Sequence, residues 1–168
     1  LDQYFQRRSQ VNKHLGQEAM IGQNAHGNEP SHHAAWLYSH TPSPWKGHAL
    51  VERIAKRFYR DAPNGLVGND DCGQMSAWLV FATLGFYPTQ PGQAQYTLGL
   101  PLVKKARLHL GSGVDQKSIT LHVQSKATFS RQRTHQVELQ LDGKTLNAGE
   151  PLMHEALLLA NQLDFRVI

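Results

Sequence analysis

One stretch of the sequence, residues 68–88, decides the fold: GNDDCGQMSAWLVFATLGFYP. Its first residues are rich in Asn, Asp and Gly, the composition of an irregular loop. From Gly73 to about Leu84 the side chains are apolar on nearly all faces, which predicts a helix surrounded by protein. The character of the sequence then changes near Pro88. We therefore expect a central helix here, with helices before it and strands after it.

The residues before this stretch predict helices separated by loops. The strongest signal is a set of apolar residues that recur mostly at three- and four-residue intervals, with charged residues on the other side, as in an amphipathic helix. These residues are Trp45, Leu50, Val51, Ile54, Ala55 and Phe58. Residues 1–15 and 30–39 predict two further helices, the second with Asn28 as its N-cap and Pro30 in its first turn. Residues 20–30 and 61–71 are typical of irregular loops.

The residues after Pro88 predict β-strands. Several short segments there alternate apolar with polar residues, the period of a half-buried strand. They are residues 96–98, 106–110, 118–123, 136–141 and 163–167. The pair Asp142-Gly143 is a favoured two-residue hairpin turn, and residues 153–158 predict a short helix. The expected fold class is α+β, with a helical first half and a β-rich C-terminal region.

Composition excludes some classes of protein. The net charge of +4 comes from Lys and Arg scattered along the chain, without the run or motif that follows a phosphate backbone, so we expect no nucleic-acid partner. The longest apolar stretch, residues 75–86, is shorter than the ~18–20 residues of a membrane span, so we expect none. Cys72 is the only cysteine, which excludes an internal disulfide. The chain starts at Leu1 without a signal-peptide pattern, so we expect further sequence upstream.

Two loop-to-helix junctions concentrate polar side chains: GNEPSHH at residues 27–33 and GNDDCGQMSAW at residues 68–78. Helix capping explains one Asn or Asp at each junction. The second junction, however, offers Asn69, Asp70 and Asp71 in succession beside a helix that is predicted to be buried. Clustered carboxylates stay solvated, bind a cation, share protons or take part in catalysis. Oxygen ligands of this kind favour a hard cation such as calcium over zinc.

Other chemistries fit these residues less well. His26, His32 and His33 are close in sequence, but adjacent histidines on a helix point about 100° apart and no H-E-x-x-H motif or Cys pair accompanies them, which argues against zinc. Ser76 does not lie in a G-x-S-x-G elbow, which argues against a Ser-His-Asp hydrolase. Aromatic residues such as Trp78 could stack on a sugar, but at helical spacing they are more typical of a core.

Both junctions resemble the C-terminal signature blocks of glycoside hydrolase family 92. The similarity covers IGQNAHGNEPSHH at residues 21–33 and NGLVGNDDCGQMSAW at residues 64–78. It continues in LGFYP at residues 84–88 and YTLGLPL at residues 96–102. Members of this family are calcium-dependent exo-α-mannosidases that invert the anomeric carbon, built from a β-sandwich domain and an α/α toroid of paired helices.

The resemblance implies a role for particular residues. Glu29 would be a calcium ligand, with Asn28 contributing beside it, and Asp71 would be the general base that activates water. An inverting mechanism separates the base from a general acid by roughly 6.5 to 9.5 Å, while calcium supplies charge and a template for sugar hydroxyls. Three further residues are candidates for contacts to the sugar or for supporting contacts behind the site: His26, His32 and Asn69.

The resemblance also implies domains. Residues 1–90 would be the last helices of the toroid, and residues 91–168 a β-rich segment packed on it. A full toroid needs more helices than this chain predicts, so an upstream domain or a partner chain would complete it. Many members carry an Asp where this chain has Asn69. The general acid lies upstream in the family, and Asp2 and Glu18 match no motif, so no general acid is assigned.

Two classes of function therefore remain open. The first is an α-mannosidase acting on mannose-containing glycans, or the part of one that supplies the base and the calcium site. The second is a non-catalytic glycan-binding or degenerate remnant domain that lacks the general acid. An interaction module based on the β-region alone would leave the acidic loops unexplained. A periplasmic or secreted location is expected from the family.

Overall fold

The computed structural model describes residues 1–9, 19–111, 116–124, 137–146 and 149–167. Helices and sheets are mixed along the chain, which divides into two compact units, residues 1–82 and 83–168. Across these ranges no helix is both long enough and apolar enough to cross a membrane.

Helices dominate the first unit. The α-helices are α1 (Asp2–Gln6), α2 (Pro44–Phe58) and α3 (Gln74–Leu84), the last of which runs across the boundary between the units. A two-stranded antiparallel hairpin, β1 (Met20–Ile21) and β2 (Asn24–Ala25), lies within the predicted irregular loop at residues 20–30. The amphipathic helix predicted at residues 45–58 is confirmed, and residues 61–71 form no helix or strand, as predicted.

The helix predicted over residues 1–15 is shorter than expected within the described residues. It ends at Gln6, because the backbone of Arg7 is extended. The carbonyl of Tyr4, which a longer helix would use, instead accepts a hydrogen bond from the backbone N–H of Gln23 at 2.8 Å. A Cβ at Gly22, where φ is +61°, would lie 2.4 Å from the Phe5 carbonyl carbon. The hydrogen bond from the hairpin therefore replaces the one that would extend α1 by a further turn. The rest of the prediction, beyond Ser9, lies outside the described residues.

The helix predicted over residues 30–39 is confirmed in part, since the structure has not one continuous helix but two 3-10 helices, Glu29–Ser31 and Ala34–His40. Tighter winding places residues three apart on one face. Ala35 and Tyr38 are such a pair, and both lie against Gly47 of α2, where an added Cβ would be 2.7 Å from the Ala35 oxygen and 2.9 Å from the Tyr38 Cβ. The close approach of α2 accounts for the tighter winding.

One face of α3 is fully buried, but the helix is not buried on all sides. Met75, Trp78 and Ala82 have no exposed surface, whereas Val80 is 57% exposed. The prediction of a helix surrounded by protein is therefore wrong at Val80. Gly85, with φ of +82°, follows the last residue of the helix and allows the chain to turn.

Sheets dominate the second unit. The strands are β3 (Phe86–Tyr87), β4 (Gln95–Leu98), β5 (Lys105–Leu110), β6 (Lys117–Gln124), β7 (Val137–Leu141), β8 (Lys144–Thr145), β9 (Leu152–Met153) and β10 (Gln162–Val167). A short helix, α4 (His154–Leu159), precedes β10. One sheet has the order β5-β6-β10-β7-β8, in which only β10 and β6 are parallel, and a smaller sheet has the order β3-β4-β9.

The strand predictions are confirmed to within a few residues, although Gln136 lies outside the described residues. One face of the large sheet is apolar and fully buried at Ile119, Leu121, Leu163 and Phe165. The predicted alternation is seen in β5 and β6 but not in β10, where Asp164 is also buried. The hairpin predicted at Asp142-Gly143 joins β7 to β8, since Leu141 pairs with Lys144.

Candidate active site

The loop before α3 folds back to cap the helix. The carboxylate of Asp70 accepts hydrogen bonds from the backbone N–H of Ser76 at 3.0 Å and from its hydroxyl at 2.8 Å. The backbone carbonyls of Asp70 and Asp71 accept from the N–H groups of Met75 and Gln74, at 3.1 and 3.2 Å. The first free N–H groups of α3 are thus all satisfied by the loop, and Asp70 is the capping side chain.

This capping leaves the carboxylate of Asp71 available. Within the part of the chain that the structure describes, that half-buried carboxylate accepts no hydrogen bond. The backbone N–H of Asp71 donates to Asn69 Oδ1 at 3.0 Å, which closes a tight turn. Asp71, Cys72 and Gly73 then have φ angles of +49°, +56° and +95°. Left-handed backbone at a non-glycine residue costs on the order of 1 kcal/mol or more and is often found at functional sites.

The first junction presents Asn28 and Glu29 to solvent. Both residues are exposed, and the Asn28 side chain makes no capping hydrogen bond. The predicted N-cap role of its side chain is therefore wrong. Ser31 shapes this turn instead, because its hydroxyl lies 2.9 Å from the Asn28 carbonyl and 2.5 Å from that of Ala25. The side-chain oxygens of Asn28 and Glu29 are left facing outward.

His32 ties the two junctions together. Its Nδ1 lies 3.2 Å from the side-chain nitrogen of Gln74, and its backbone oxygen accepts a hydrogen bond from the Trp78 indole at 3.0 Å. Its Nε2 lies 3.0 Å from the carbonyl oxygen of His26. These contacts span 42 and 46 residues between the first junction and α3.

His26 provides a second link between the first junction and α3, through Tyr59. Its Nε2 lies 2.7 Å from the Tyr59 hydroxyl, which donates to the Met75 carbonyl at 3.1 Å. The His26 ring also stacks on His32 at 4.7 Å between centroids and meets the edge of Trp78 at 4.4 Å. Aromatic Trp78 thus belongs to the core, as its spacing indicated.

Burial controls the charge of both histidines. It lowers the pKa of His26 to about 3, with a smaller contribution from the neighbouring His32. Burial also lowers the pKa of His32, against the upward effects of its hydrogen bond to His26 and of the carboxylates of Glu29 and Asp71. His26 is therefore neutral at pH 7, and His32 lies within electrostatic reach of both candidate functional carboxylates.

The predicted sugar-contacting residues fall into two groups. His26 and His32 are 1% and 2% exposed, and His32 has a protein partner at each ring nitrogen. Among the described residues Nδ1 of His26 has no partner, but it too is buried. Asn69 is exposed and uses only its side-chain oxygen in the turn. Of the two roles considered for the histidines, their burial fits a supporting one.

The oxygen donors suit calcium better than zinc. Among the described residues no three His, Cys, Asp or Glu side chains are grouped so as to hold a metal ion. Calcium, however, also accepts amide, carbonyl, water and ligand hydroxyl oxygens, typically six to eight in all. The outward-facing amide of Asn28 and carboxylate of Glu29 fit such a partial site, which would be completed by other oxygens.

Asp2 is a poor general acid. Its carboxylate accepts hydrogen bonds from the ammonium of Lys46 and, at 2.6 Å, from the hydroxyl of Tyr38. The hydrogen bond from Lys46, followed by that from Tyr38, lowers the pKa of Asp2. A general acid must hold its proton at the working pH, which this pairing opposes. Glu18 lies outside the described residues.

Two residues of this network were missed by sequence reasoning. Gln74 lies within the second junction, but its position alone did not distinguish it from its neighbours. Tyr59 directly follows α2 and lies in no motif, so only its contacts in three dimensions reveal its role.

The whole chain, residues 1–168, matches the sequence model of the glycosyl hydrolase family 92 catalytic domain. The chain belongs to glycoside hydrolase family 92. Solved structures agree with this family 92 assignment. The α-mannosidase BT3965 of Bacteroides thetaiotaomicron, solved with mannoimidazole, is 30% identical, with a TM-score of 0.79 over 99% of this chain. The inverting mannosidase BT2199 of the same organism is 32% identical, with a TM-score of 0.68 over 88% of this chain.

The family 92 chain corresponds to only a part of these proteins. It covers 21% of the first mannosidase and 19% of the second. It is also 36% identical over 75 residues to an uncharacterized secreted glycosidase of Arthroderma benhamiae, a match that covers 45% of this chain and 10% of that protein.

Proposed function

We propose that this chain supplies the general base and the calcium site of an inverting exo-α-mannosidase that acts on mannose-containing glycans. The observation that carries the proposal is the position of His32. It is hydrogen-bonded to Gln74, three residues after Asp71, and its pKa responds to both Glu29 and Asp71. This shared neighbour supports the proposal that the residues assigned by the family resemblance to calcium and to the base act in one site.

Each residue has a distinct role in this proposal. Glu29 and Asn28 hold the calcium ion, which when bound supplies positive charge and orients sugar hydroxyls. Asp71 accepts a proton from the water that attacks the anomeric carbon on the face opposite the leaving group. Its carboxylate suits that role because no described residue donates a hydrogen bond to it. Asn69 holds the turn before the base, and His26 and His32 support the site from behind.

The remaining parts of the active site come from elsewhere in this proposal. The general acid belongs to an upstream domain or a partner chain. Residues 1–90 form the end of the helical toroid, and residues 91–168 form the β-rich segment that follows it. The names of the related α-mannosidases support the substrate class, and the secreted glycosidase supports a secreted or periplasmic location.

A non-catalytic glycan-binding or remnant domain is the second candidate. The pairing of Asp2 with Lys46 and Tyr38 favours it, because this removes one carboxylate that could have served as the acid. The presence of Asn69 where many members have an Asp points in the same direction.

Calcium binding by the purified chain tests the metal site. We expect isothermal titration calorimetry to detect one calcium ion, and Glu29→Ala to weaken binding at least about tenfold, or about 1.4 kcal/mol. Asp71→Ala should retain binding, since Asp71 is assigned to the base. Glu52→Ala, which removes an acidic side chain paired with Lys56 on α2, is the matched control. Equal affinity in the wild type and in Glu29→Ala would refute the assignment.

A further inference from the structure

The two buried histidines belong to a ring of hydrogen bonds that starts and ends on α3. The side-chain amide of Gln74 meets Nδ1 of His32, whose Nε2 meets the carbonyl of His26. The His26 side chain then meets the hydroxyl of Tyr59, which meets the carbonyl of Met75. Gln74 and Met75 are consecutive residues, so the ring closes on the first turn of the helix.

Only one arrangement of protons satisfies every contact in this ring. The His26 carbonyl can only accept, so His32 carries its proton on Nε2 and accepts from Gln74 at Nδ1. The Met75 carbonyl can also only accept, so the Tyr59 hydroxyl donates to it and accepts from Nε2–H of His26. Both imidazoles therefore carry a proton on Nε2. A ring with a single arrangement of protons resists displacement of any one member.

Two members of the ring, His32 and Gln74, are each joined to a candidate functional residue by one backbone hydrogen bond. The N–H of His32 donates to the Glu29 carbonyl at 3.0 Å, and the N–H of Gln74 donates to the Asp71 carbonyl at 3.2 Å. A shift of His32 or Gln74 would therefore move the backbone that carries the calcium ligand or the base. Displacements of about 1 Å in such groups can cost on the order of 100-fold in rate.

We propose that Tyr59 and Gln74 are positioning residues that hold the turn of Asn28 and Glu29 in register with the loop of Asp71. Neither residue touches the calcium ion or the sugar in this scheme. The proposal rests on the proposed function, because the two segments held in register carry the proposed calcium ligands and the proposed base.

The test uses the whole 168-residue chain and three conservative variants. Tyr59→Phe removes the hydroxyl from the ring, and Gln74→Met removes the amide with little change in size. Tyr38→Phe is the matched control, because it removes another buried tyrosine hydroxyl, one that donates to Asp2 outside the ring. The histidine ring ¹⁵N signals are recorded without calcium, and calcium affinity is then measured by calorimetry.

We expect the His26 signals to shift in Tyr59→Phe and the His32 signals to shift in Gln74→Met. Calcium affinity should fall about tenfold or more in both, as is usual when partners behind metal ligands are lost. Tyr38→Phe should leave the histidine ¹⁵N signals and the calcium affinity as in the wild type. Shifted signals with wild-type affinity in Tyr59→Phe and Gln74→Met would overturn the positioning role.

A wild-type chain that binds no calcium would refute the metal site of the proposed function, and the positioning role would then be judged at the other junction. The exposed thiol of Cys72 lies next to Asp71, so its alkylation rate by iodoacetamide reports on that loop. A rate changed in Tyr59→Phe and Gln74→Met but not in Tyr38→Phe upholds the role. An unchanged rate in all three variants overturns it.

Discussion

At the scale of single residues, burial separates the histidines that the structure describes into different kinds of group. His26 is almost fully buried, and its ring contacts only other protein groups. His33 and His40, in contrast, are exposed. The same side chain thus serves as a neutral hydrogen-bonding ring in one place and as a solvated surface group in another.

This burial predicts an acid-sensitive fold. The pKa of His26 is about 3 in the folded chain, against about 6.5 when unfolded, so below pH 6.5 the unfolded state binds the additional proton. The free energy of unfolding should therefore decrease as the pH falls from 6.5 towards 4, with a slope of up to about 1.4 kcal/mol per pH unit from this residue. Above pH 6.5 this contribution is complete. Urea unfolding across the pH range measures it.

Two substitutions test whether His26 causes this pH dependence of the free energy of unfolding. His26→Phe should flatten the decrease, because the residue that takes up the proton on unfolding is gone. His40→Gln removes an exposed histidine and should keep the wild-type slope. The same slope in His26→Phe as in the wild type would show that other groups cause the acid sensitivity.

At the scale of elements, the two neighbouring carboxylates at the start of α3 have different roles. Asp70 caps the helix through two hydrogen bonds to Ser76. The backbone of Asp71 takes part in the same turn, while its carboxylate has no described partner. Because Asp70 caps the helix, the carboxylate of Asp71 is not needed for capping and can take part in catalysis.

This division of roles predicts that two adjacent substitutions change the free energy of unfolding by different amounts. Asp70→Ala should lower the free energy of unfolding by about 1 kcal/mol, the usual cost of a lost cap. Asp71→Asn should change it by less than about 0.5 kcal/mol, since Asn also tolerates a left-handed backbone. Urea unfolding of both variants measures the difference. A larger loss in Asp71→Asn than in Asp70→Ala would make Asp71 a structural residue rather than a base.

At the scale of the whole molecule, the chain represents about a fifth of the related mannosidases, 21% and 19%. A complete exo-acting site needs an acid, a base and walls that hold the sugar. Among the described residues only candidates for the base and the calcium ligands are found. Turnover is therefore expected of a larger assembly that includes this chain.

Hydrolysis of an aryl α-mannoside tests this expectation. We expect none from the chain alone, and turnover with inversion from the chain joined to the rest of its protein, with the first-formed β-mannose detected by NMR. In that protein Asp71→Asn should lower kcat by about 100-fold or more, the usual effect of losing a general base. Asp61→Asn, in the exposed part of the same loop, is the control. A complete protein that binds mannose without hydrolysing it would favour the non-catalytic alternative.

Patterns of neighbouring residues were enough to identify the family, the change from helices to strands near Pro88, and the two junctions where polar residues collect. They were enough because periodicity, turn residues and ordered motifs are properties of neighbouring positions. The Asp142-Gly143 hairpin and the helix at residues 45–58 were readable for that reason.

The structural role of each polar residue is visible only in the tertiary structure. The end of α1 depends on Gln23 taking the Tyr4 carbonyl, and the tight winding of residues 34–40 depends on the approach of Gly47. The roles of His26 and Tyr59 depend on a contact between residues 33 apart in the chain. Burial and hydrogen-bond partners of this kind arise only when distant segments pack together, so no local pattern records them.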